Sequence, residues 1–155
     1  MKTPFYKELQ RYKNQLTNLI KNYYGENLLS LALFGSSARG DLTISSDIDI
    51  LVIVKSSSLK MRERIFSFYH SVGDSLNIRD KEFTLSPLIL TLDELKQFTP
   101  FLLNLLHCVD ILYDENNTLQ NYLKKMQTLC QEGLIQMKEL DNYSYWWYDY
   151  KRITD

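Results

Sequence analysis

Hydrophobic residues in the first third of the chain recur at two different spacings. Thr3 and Pro4 suit a helix cap and a first-turn position, and apolar residues then follow at steps of three and four as far as Gly25. This stripe, which predicts an amphipathic helix, consists of Phe5, Leu9, Tyr12, Leu16, Leu19, Ile20 and Tyr23. Two short, nearly continuous apolar runs, Leu28 to Phe34 and Asp47 to Val54, predict buried strands instead.

The middle of the chain combines helical and extended patterns. Residues 56–58 are serines that can cap a helix, and Glu82 to Leu90 predicts a third strand, in which Pro87 favours an edge position or a bulge. Thr91 and Glu94 form a capping-box pair at the start of a helix predicted over Leu92 to His107. The helix that follows the serines is expected to bury one face, which consists of Leu59, the stem of Arg62, Ile65, Phe66, Tyr69 and Val72.

The last part of the chain is predicted to be mainly helical. Val109 to Tyr113 is short and apolar, and Asn116 or Asn117 opens a long helix that continues to about Leu140 with an interruption at Gly133. Aromatic residues then fill Tyr143 to Lys151. The sequence therefore predicts an α/β (α+β) fold, a small mixed β-sheet flanked by helices. We expect a single domain over residues 1–155, with a C-terminal helix and an aromatic tail.

Composition narrows the class of protein. The chain has 155 residues, 45% of them hydrophobic, which is enough for one core. A net charge of -1 lacks the basic excess of proteins that grip nucleic acid through its phosphates, which argues against a nucleic-acid partner. We find no secretory signal and no apolar run long enough to span a membrane, and two cysteines suit reduced thiols. We therefore expect a cytoplasmic protein without a membrane segment.

A loop of small residues follows the first predicted strand. Its sequence, Gly35-Ser36-Ser37-Ala38-Arg39-Gly40, begins with a residue that has no side chain, so backbone amides there can approach a ligand closely. Ser36 adds a hydroxyl donor. Amides at such a turn favour an anion such as a phosphate, although a small-residue turn after a strand is more often only a turn.

Two carboxylates interrupt the second predicted strand. Asp47 and Asp49 are separated by one residue, so in a strand they face the same side, about 6.6 Å apart along the chain. Like charges on a buried strand repel each other and are costly to desolvate, and a divalent cation would offset both effects. Magnesium prefers carboxylates together with substrate phosphates. A cap at Asp47 and an ion pair at Asp49 are the structural alternative.

The loop and the carboxylate pair together resemble a known signature. Gly35-Ser36, ten intervening residues and Asp47-Ile48-Asp49 are similar to the motif of the DNA polymerase β-like nucleotidyltransferase superfamily, in its minimal, single-domain (MNT) branch. The resemblance is clear from about Leu28 to Val54 and looser as far as Tyr113. It implies that Gly35 and Ser36 hold the triphosphate of ATP, with Arg39 beside them, and that Asp47 and Asp49 bind Mg²⁺.

The resemblance also implies a reaction and a partner. Minimal members are often antitoxins of the MntA type, which transfer AMP from ATP to a tyrosine of a HEPN-domain toxin. The family usually has a third carboxylate on the strand after the intervening helix, where this chain has Ser86. Glu82 is the candidate for that role, although it lies four residues earlier, about 13 Å along a straight strand, unless a bulge near Pro87 shortens the gap.

Several alternatives remain open at this stage. The chain could instead be a catalytically weak or inactive module that binds nucleotide and a partner, or it could modify a small molecule or an RNA end. The aromatic tail could complete the core, contact a partner, or mediate homo-oligomerisation. His107 and Cys108 are adjacent, which is poor spacing for a zinc site.

Overall fold

The structure is a computed structural model, and it describes residues 1–154. Helix α1 spans Pro4–Tyr24, as its apolar stripe predicts. The Tyr6 amide donates a hydrogen bond to Thr3 Oγ1 at 3.2 Å, and Gly25 follows the helix with φ of 54°. The buried residues of α1 belong to a core on one face of the sheet. They are Tyr6, Leu9, Leu16 and Ile20.

Five strands form one mixed sheet in the order β3–β4–β2–β1–β5. β2 and β4 run parallel, and the other neighbours are antiparallel. The predicted mixed sheet is therefore confirmed. The strands are β1 (Leu28–Leu33), β2 (Ile48–Val54), β3 (Ser75–Ile78), β4 (Lys81–Thr91) and β5 (Asp110–Asp114).

The central strand β2 supplies both cores by alternation. Ile48, Ile50 and Val52 point to the face covered by α1 and α3 (Met61–Ser71). Leu51 and Ile53 point to the other face, where they meet α5 (Thr118–Gln131) and a 3-10 segment over Pro100–Leu106. Burial on both faces explains why this strand reads as a continuous apolar run. By the same alternation, Asp49 belongs to the second face.

Helix α3 differs from the prediction in its start and its buried face. Lys60, not the serines, precedes the helix, and Phe66 is 67% exposed while Leu59 is 43% exposed. The buried positions are Phe68 and Arg64, whose guanidinium donates two hydrogen bonds of 2.7 Å to Glu94. A bidentate carboxylate partner makes the burial of Arg64 tolerable. Arg62, whose stem is predicted to be buried, is exposed, whereas Ile65, Tyr69 and Val72 pack against the core as predicted.

Pro87 lies where β4 pairs with only one neighbour. β3 pairs with β4 no further than Thr84, and β2 pairs with β4 in unbroken register from Leu85 to Thr91. The position is therefore locally an edge, as predicted, whereas the alternative of a bulge is wrong. Proline has no backbone N–H to donate, and on the open side of the strand there is no neighbouring strand that would need this donor.

The prediction of a helix from Leu92 to His107 is correct only for its first five residues. Helix α4 covers only Leu92–Lys96, although its capping box of Thr91 and Glu94 is present. The chain then becomes extended at Gln97, and Pro100 starts the 3-10 segment. A proline cannot donate to the helical ladder, and it disfavours helical geometry in the residue before it.

The C-terminal region is the largest departure from the prediction. α5 ends at Gln131, and Gly133 follows with φ of 73°, so the chain leaves the helix instead of passing through an interruption. An antiparallel hairpin of β6 (Ile135–Leu140) and β7 (Tyr143–Tyr148) then follows, with a short helix α6 (Tyr150–Thr154) after it. The aromatic segment is thus a paired strand. None of the helices in residues 1–154 has the length and apolarity needed to cross a membrane.

Candidate active site

The loop after β1 has the geometry that close ligand approach requires. Gly35 has φ of 58° and ψ of -143°, a conformation that side-chain-bearing residues rarely adopt, and it precedes the single helical turn α2 (Ser36–Arg39). The amides of Ala38 and Arg39 donate to the Gly35 carbonyl at 3.2 and 3.1 Å. The amides of Ser36 and Ser37 precede these bonds in the chain, so the turn itself does not use them.

Gly35 lies directly against one of the two aspartates. A Cβ atom at Gly35 would lie 2.3 Å from Asp49 Oδ2, which is closer than any real contact of such an atom. The Phe34 amide also donates to the Asp49 carbonyl at 3.2 Å, and the Asp49 amide donates to Ser37 Oγ at 3.3 Å. The loop backbone and the Asp49 carboxylate therefore form one site.

The two aspartates occupy different environments. Asp49 is the second residue of β2 and is half-buried, whereas Asp47 lies just before the strand and is exposed. The predicted strand is thus one residue too long at its start. The parallel register places Asp49 level with Ser86 on β4. One carboxylate is therefore fixed by the sheet and the other is carried by the loop that enters it.

The charge of Asp49 is disfavoured where it stands. Burial raises the pKa of Asp49 above its ordinary value, and the negative charge of Asp47 raises that pKa further. The Ser86 hydroxyl and the positive charge of Arg39 act in the opposite direction. A divalent cation between the carboxylates would stabilise the ionised form, so Asp47 and Asp49 are the groups that could hold magnesium together with phosphate oxygens. Residues 1–154 contain no cluster of three or more histidine, cysteine, aspartate or glutamate side chains with metal-binding geometry.

The remaining predicted residues are Ser36, Arg39 and Glu82, and the structure does not bring all of them to this pair. Ser36 is half-buried in the first turn of α2, next to Gly35. Arg39 ends that turn with its side chain 53% exposed, and its Nε donates to Asp41 at 3.2 Å. Glu82 is not brought to the pair, because it faces Asn77 on β3 and accepts a hydrogen bond from Ser75 at 2.6 Å. The register has no bulge that would shorten its distance from Ser86.

Two serines contact the site in ways that the motif did not predict. Ser37 is fully buried and accepts the hydrogen bond from the Asp49 amide, so it ties the loop to β2. Ser86 occupies the position where the resemblance implies a carboxylate. The sequence places Ser86 in the third predicted strand, but only the folded chain shows the strand register that pairs Ser86 with Asp49.

Comparisons with known proteins place these features in a family. Residues 13–128 match the family model described as nucleotidyltransferase domain. A Methanocaldococcus jannaschii protein, provisionally named a protein adenylyltransferase, is 28% identical over 134 residues, which cover 81% of this chain and 85% of the relative. A Staphylococcus aureus spectinomycin 9-adenylyltransferase is 32% identical over 75 residues, 45% of this chain but only 29% of that enzyme.

A solved structure shares the fold. A chain in the crystal structure of a toxin–antitoxin with AMP-PNP superposes with a TM-score of 0.51 at 16% identity, over 77% of this chain and 87% of that one. The likeness extends to the arrangement of the sheet and its helices.

Proposed function

The chain belongs to the nucleotidyltransferase domain family, and from that premise we propose that it transfers AMP from ATP to a tyrosine hydroxyl of a HEPN-domain partner protein, as an antitoxin does to its toxin. The observation that carries the proposal is the contact between Gly35 and the Asp49 carboxylate. It joins a backbone suited to phosphate with a carboxylate suited to a metal ion, at one point of the fold.

Each residue of the pair of motifs has a role in this proposal. Gly35 and Ser36 hold phosphate oxygens through backbone amides and a hydroxyl, and Arg39 adds positive charge nearby. Asp47 and Asp49 hold magnesium, which would neutralise phosphate charge and so favour attack at phosphorus. Positioning and charge neutralisation supply most of the rate in phosphoryl chemistry.

The transfer itself makes one bond and breaks one. The acceptor oxygen bonds to the α-phosphorus of ATP, and the bond from that phosphorus to the bridging oxygen breaks, so pyrophosphate leaves with the electron pair. The proton of the acceptor hydroxyl passes to solvent. AMP remains on the acceptor as a phosphodiester.

The residue level with Asp49 favours an acidic hydroxyl as the acceptor. Ser86 is too weak a base to remove a proton from the acceptor, whereas the usual family carboxylate could do so. A tyrosine phenol has a pKa of about 10, far below the value of about 15.7 for water, which an aliphatic hydroxyl approaches. A phenol therefore needs less help from a base than a sugar hydroxyl does, which supports tyrosine over a drug or an RNA end.

The extent of the similarities favours a protein acceptor as well. The match to the relative named as a protein adenylyltransferase spans 85% of that relative. The match to the spectinomycin enzyme spans only 29% of it and leaves most of that enzyme without a counterpart in the match. We therefore rank transfer to a small molecule second, and a binding module without activity third.

Intact-mass spectrometry of the partner tests the proposal. The protein is incubated with ATP, magnesium and the product of the neighbouring gene, which the proposal expects to be a HEPN-domain protein, and this partner is then weighed. The expected result is a gain of one or more AMP units on a tyrosine, which is lost in Asp47→Asn. Asp93→Asn is the matched control, because Asp93 is 89% exposed on α4, outside the site.

Other outcomes would redirect the proposal. Modification of spectinomycin or of an RNA end, with no gain on the partner, would favour the second candidate. Tight ATP binding with no transfer to any acceptor would favour the binding module.

A further inference from the structure

A cavity of about 660 Å³ opens beside Gly35 and Asp49 and extends toward the C-terminal hairpin. That volume is within the range of about 300 to 1,000 Å³ that small-molecule sites occupy. Beyond the loop and Asp49, the cavity is lined by residues from the 3-10 segment and from the hairpin. They include Phe34, Phe101, Asn104, His107, Met137 and Ser144.

The lining of the cavity combines two kinds of groups. The part formed by Gly35, Arg39 and Asp49 is charged and rich in backbone amides. The other part is formed by Phe101, Met137 and neighbouring polar groups. Phe101 packs edge-to-face with Phe34 at 6.1 Å between ring centroids and is still 52% exposed, so part of its ring is open to a ligand. A ligand with a polyanionic end and a flat aromatic end matches this arrangement.

The hairpin contributes one of its two faces to the cavity. Met137 pairs with Trp146, and Ser144 pairs with Glu139, so all four share one face of the two strands. The opposite face carries Leu140, which is 65% exposed. The hairpin lies beyond residue 128, where the match to the family model ends.

Asn104 is oriented by a hydrogen bond from the hairpin. The indole Nε1 of Trp146 donates to Asn104 Oδ1 at 3.3 Å, and an indole can only donate, so the carbonyl oxygen must be its acceptor. The Trp146 ring also packs on His107 at 5.1 Å between ring centroids. With its oxygen engaged, Asn104 presents the two N–H groups of Nδ2 as donors at the cavity wall.

We propose that this cavity binds the nucleoside end of the triphosphate. Asn104 donates to a ring nitrogen of a purine base, while Phe101 and Met137 pack against the faces of that base. Trp146 acts as a positioning residue, because it holds the Asn104 amide in the donating orientation. The inference rests on the proposed function, since it takes the triphosphate to lie at Gly35 and the two aspartates.

Calorimetry with two ligands separates the nucleoside end from the phosphate end. The full chain is titrated with magnesium–ATP and with magnesium–tripolyphosphate, which has no nucleoside. Asn104→Asp keeps an acceptor for Trp146 but replaces the donor, and Phe101→Ala removes the ring. We expect the ratio of ATP affinity to tripolyphosphate affinity to fall roughly tenfold in each variant. Using the ratio cancels any general repulsion of phosphate by the new charge.

Matched controls lie outside the cavity. Phe66→Ala removes an exposed ring on α3, and Leu140→Ala changes the outer face of the hairpin, whereas Met137→Ala changes the inner face. The ratio should stay within about twofold in both controls. Thermal melting checks that each variant is folded, and Phe101→Leu replaces Phe101→Ala if the smaller side chain destabilises the chain.

The outcomes distinguish this inference from the proposed function. An unchanged ratio in folded Asn104→Asp and Phe101 variants would overturn the nucleoside site and leave the transfer reaction standing. Equal affinity of the wild type for ATP and tripolyphosphate would do the same. A wild type that binds neither ligand would contradict the proposed function, and the inference with it.

Discussion

The two ends of the cavity are built in different ways. At the phosphate end, a short stretch of chain from Gly35 to Asp49 supplies a backbone turn and a carboxylate in direct contact. At the other end, Phe101 and Asn104 come from the 3-10 segment and Met137 comes from the hairpin, which also holds Asn104 in place through Trp146. The proposed group-transfer site thus depends on local sequence, whereas the proposed nucleoside site depends on tertiary packing.

Removing the Asp49 charge should have the largest effect, in opposite directions on activity and stability. Asn at position 49 cannot supply an anionic ligand, so we expect AMP transfer to fall by about 1,000-fold. The pKa of Asp49 is raised in the folded chain, so its ionised form destabilises the fold above the ordinary pKa. In protein freed of metal by EDTA, Asp49→Asn should therefore melt at a higher temperature at pH 7.

The effect of Asp49 on the melting temperature should depend on pH, because the pKa of its carboxyl is raised in the folded chain. The penalty on the wild type is lost as pH falls through the raised pKa of Asp49, so the difference in melting temperature between wild type and variant should shrink on acidification. Asp93→Asn, at an exposed carboxyl, is the control. A melting temperature that is lower in Asp49→Asn than in the wild type at pH 7 would contradict this account of the site.

A methyl group at Gly35 should be nearly as damaging. Gly35→Ala places Cβ 2.3 Å from Asp49 Oδ2, so the carboxylate must move, and a displacement of about 1 Å can cost about 100-fold in rate. Steady-state kinetics of AMP transfer would measure the loss. Gly25→Ala has a similar positive φ of 54° but meets no atom within 4 Å, so it controls for backbone strain. Equal activity in the two variants would show that the contact with Asp49 is unimportant.

At the nucleoside end, Trp146→Phe should have a smaller and more selective effect. The change removes the N–H that orients Asn104 but retains an aromatic ring beside His107. A hydrogen bond of this kind contributes about 1 kcal/mol, so KM for ATP should rise about fivefold while kcat is unchanged. A fall in kcat with constant KM would instead place Trp146 in the transfer step.

The outer face of the hairpin should matter least for nucleotide. Tyr145 is 46% exposed on the face opposite Met137, so Tyr145→Ala should change neither the affinity for ATP nor the melting temperature appreciably. Calorimetry and thermal melting test both points. A change in the mass of the protein in solution would assign this face to self-association, and an increase in KM for ATP would show that it reaches the cavity.

The glycine turn and the carboxylate pair of the proposed phosphate site could be predicted from sequence because they are set by local sequence. The glycine turn, the apolar run of β2 and the spacing of Asp47 and Asp49 are all visible in the chain. Register is not visible, so the sequence could suggest Glu82 as a third carboxylate, whereas the pairing of Ser86 with Asp49 leaves Glu82 beside Ser75. A slip of pairing along a strand changes which side chains meet without changing the pattern of apolar residues.

The residues of the proposed nucleoside site could not be predicted, because the helical patterns in the sequence continue past Pro100 and Gly133, where the helices of the structure have already ended. Pro100 ends the helical pattern that was extended to His107, and the 3-10 segment it starts positions Phe101 and Asn104. Most of the helix predicted to Leu140 is present as α5, but its last part is strand β6, because Gly133 ends α5 and the two-residue turn at Asp141–Asn142 then pairs β6 with β7. The aromatic residues of β7 and this two-residue turn are both typical of a β-hairpin, and neither contributes to the helical pattern.

The position of a radioactive label tests the central claim most directly. The protein and the proposed HEPN-domain partner are incubated with magnesium and ATP labelled at either the α- or the γ-phosphorus, and the partner is then separated and counted. Transfer of AMP predicts that the α-label enters the partner, that the γ-label does not, and that Asp49→Asn abolishes the signal. Incorporation of the γ-label, or equal α-labelling by wild type and Asp49→Asn, would contradict nucleotidyl transfer at this site.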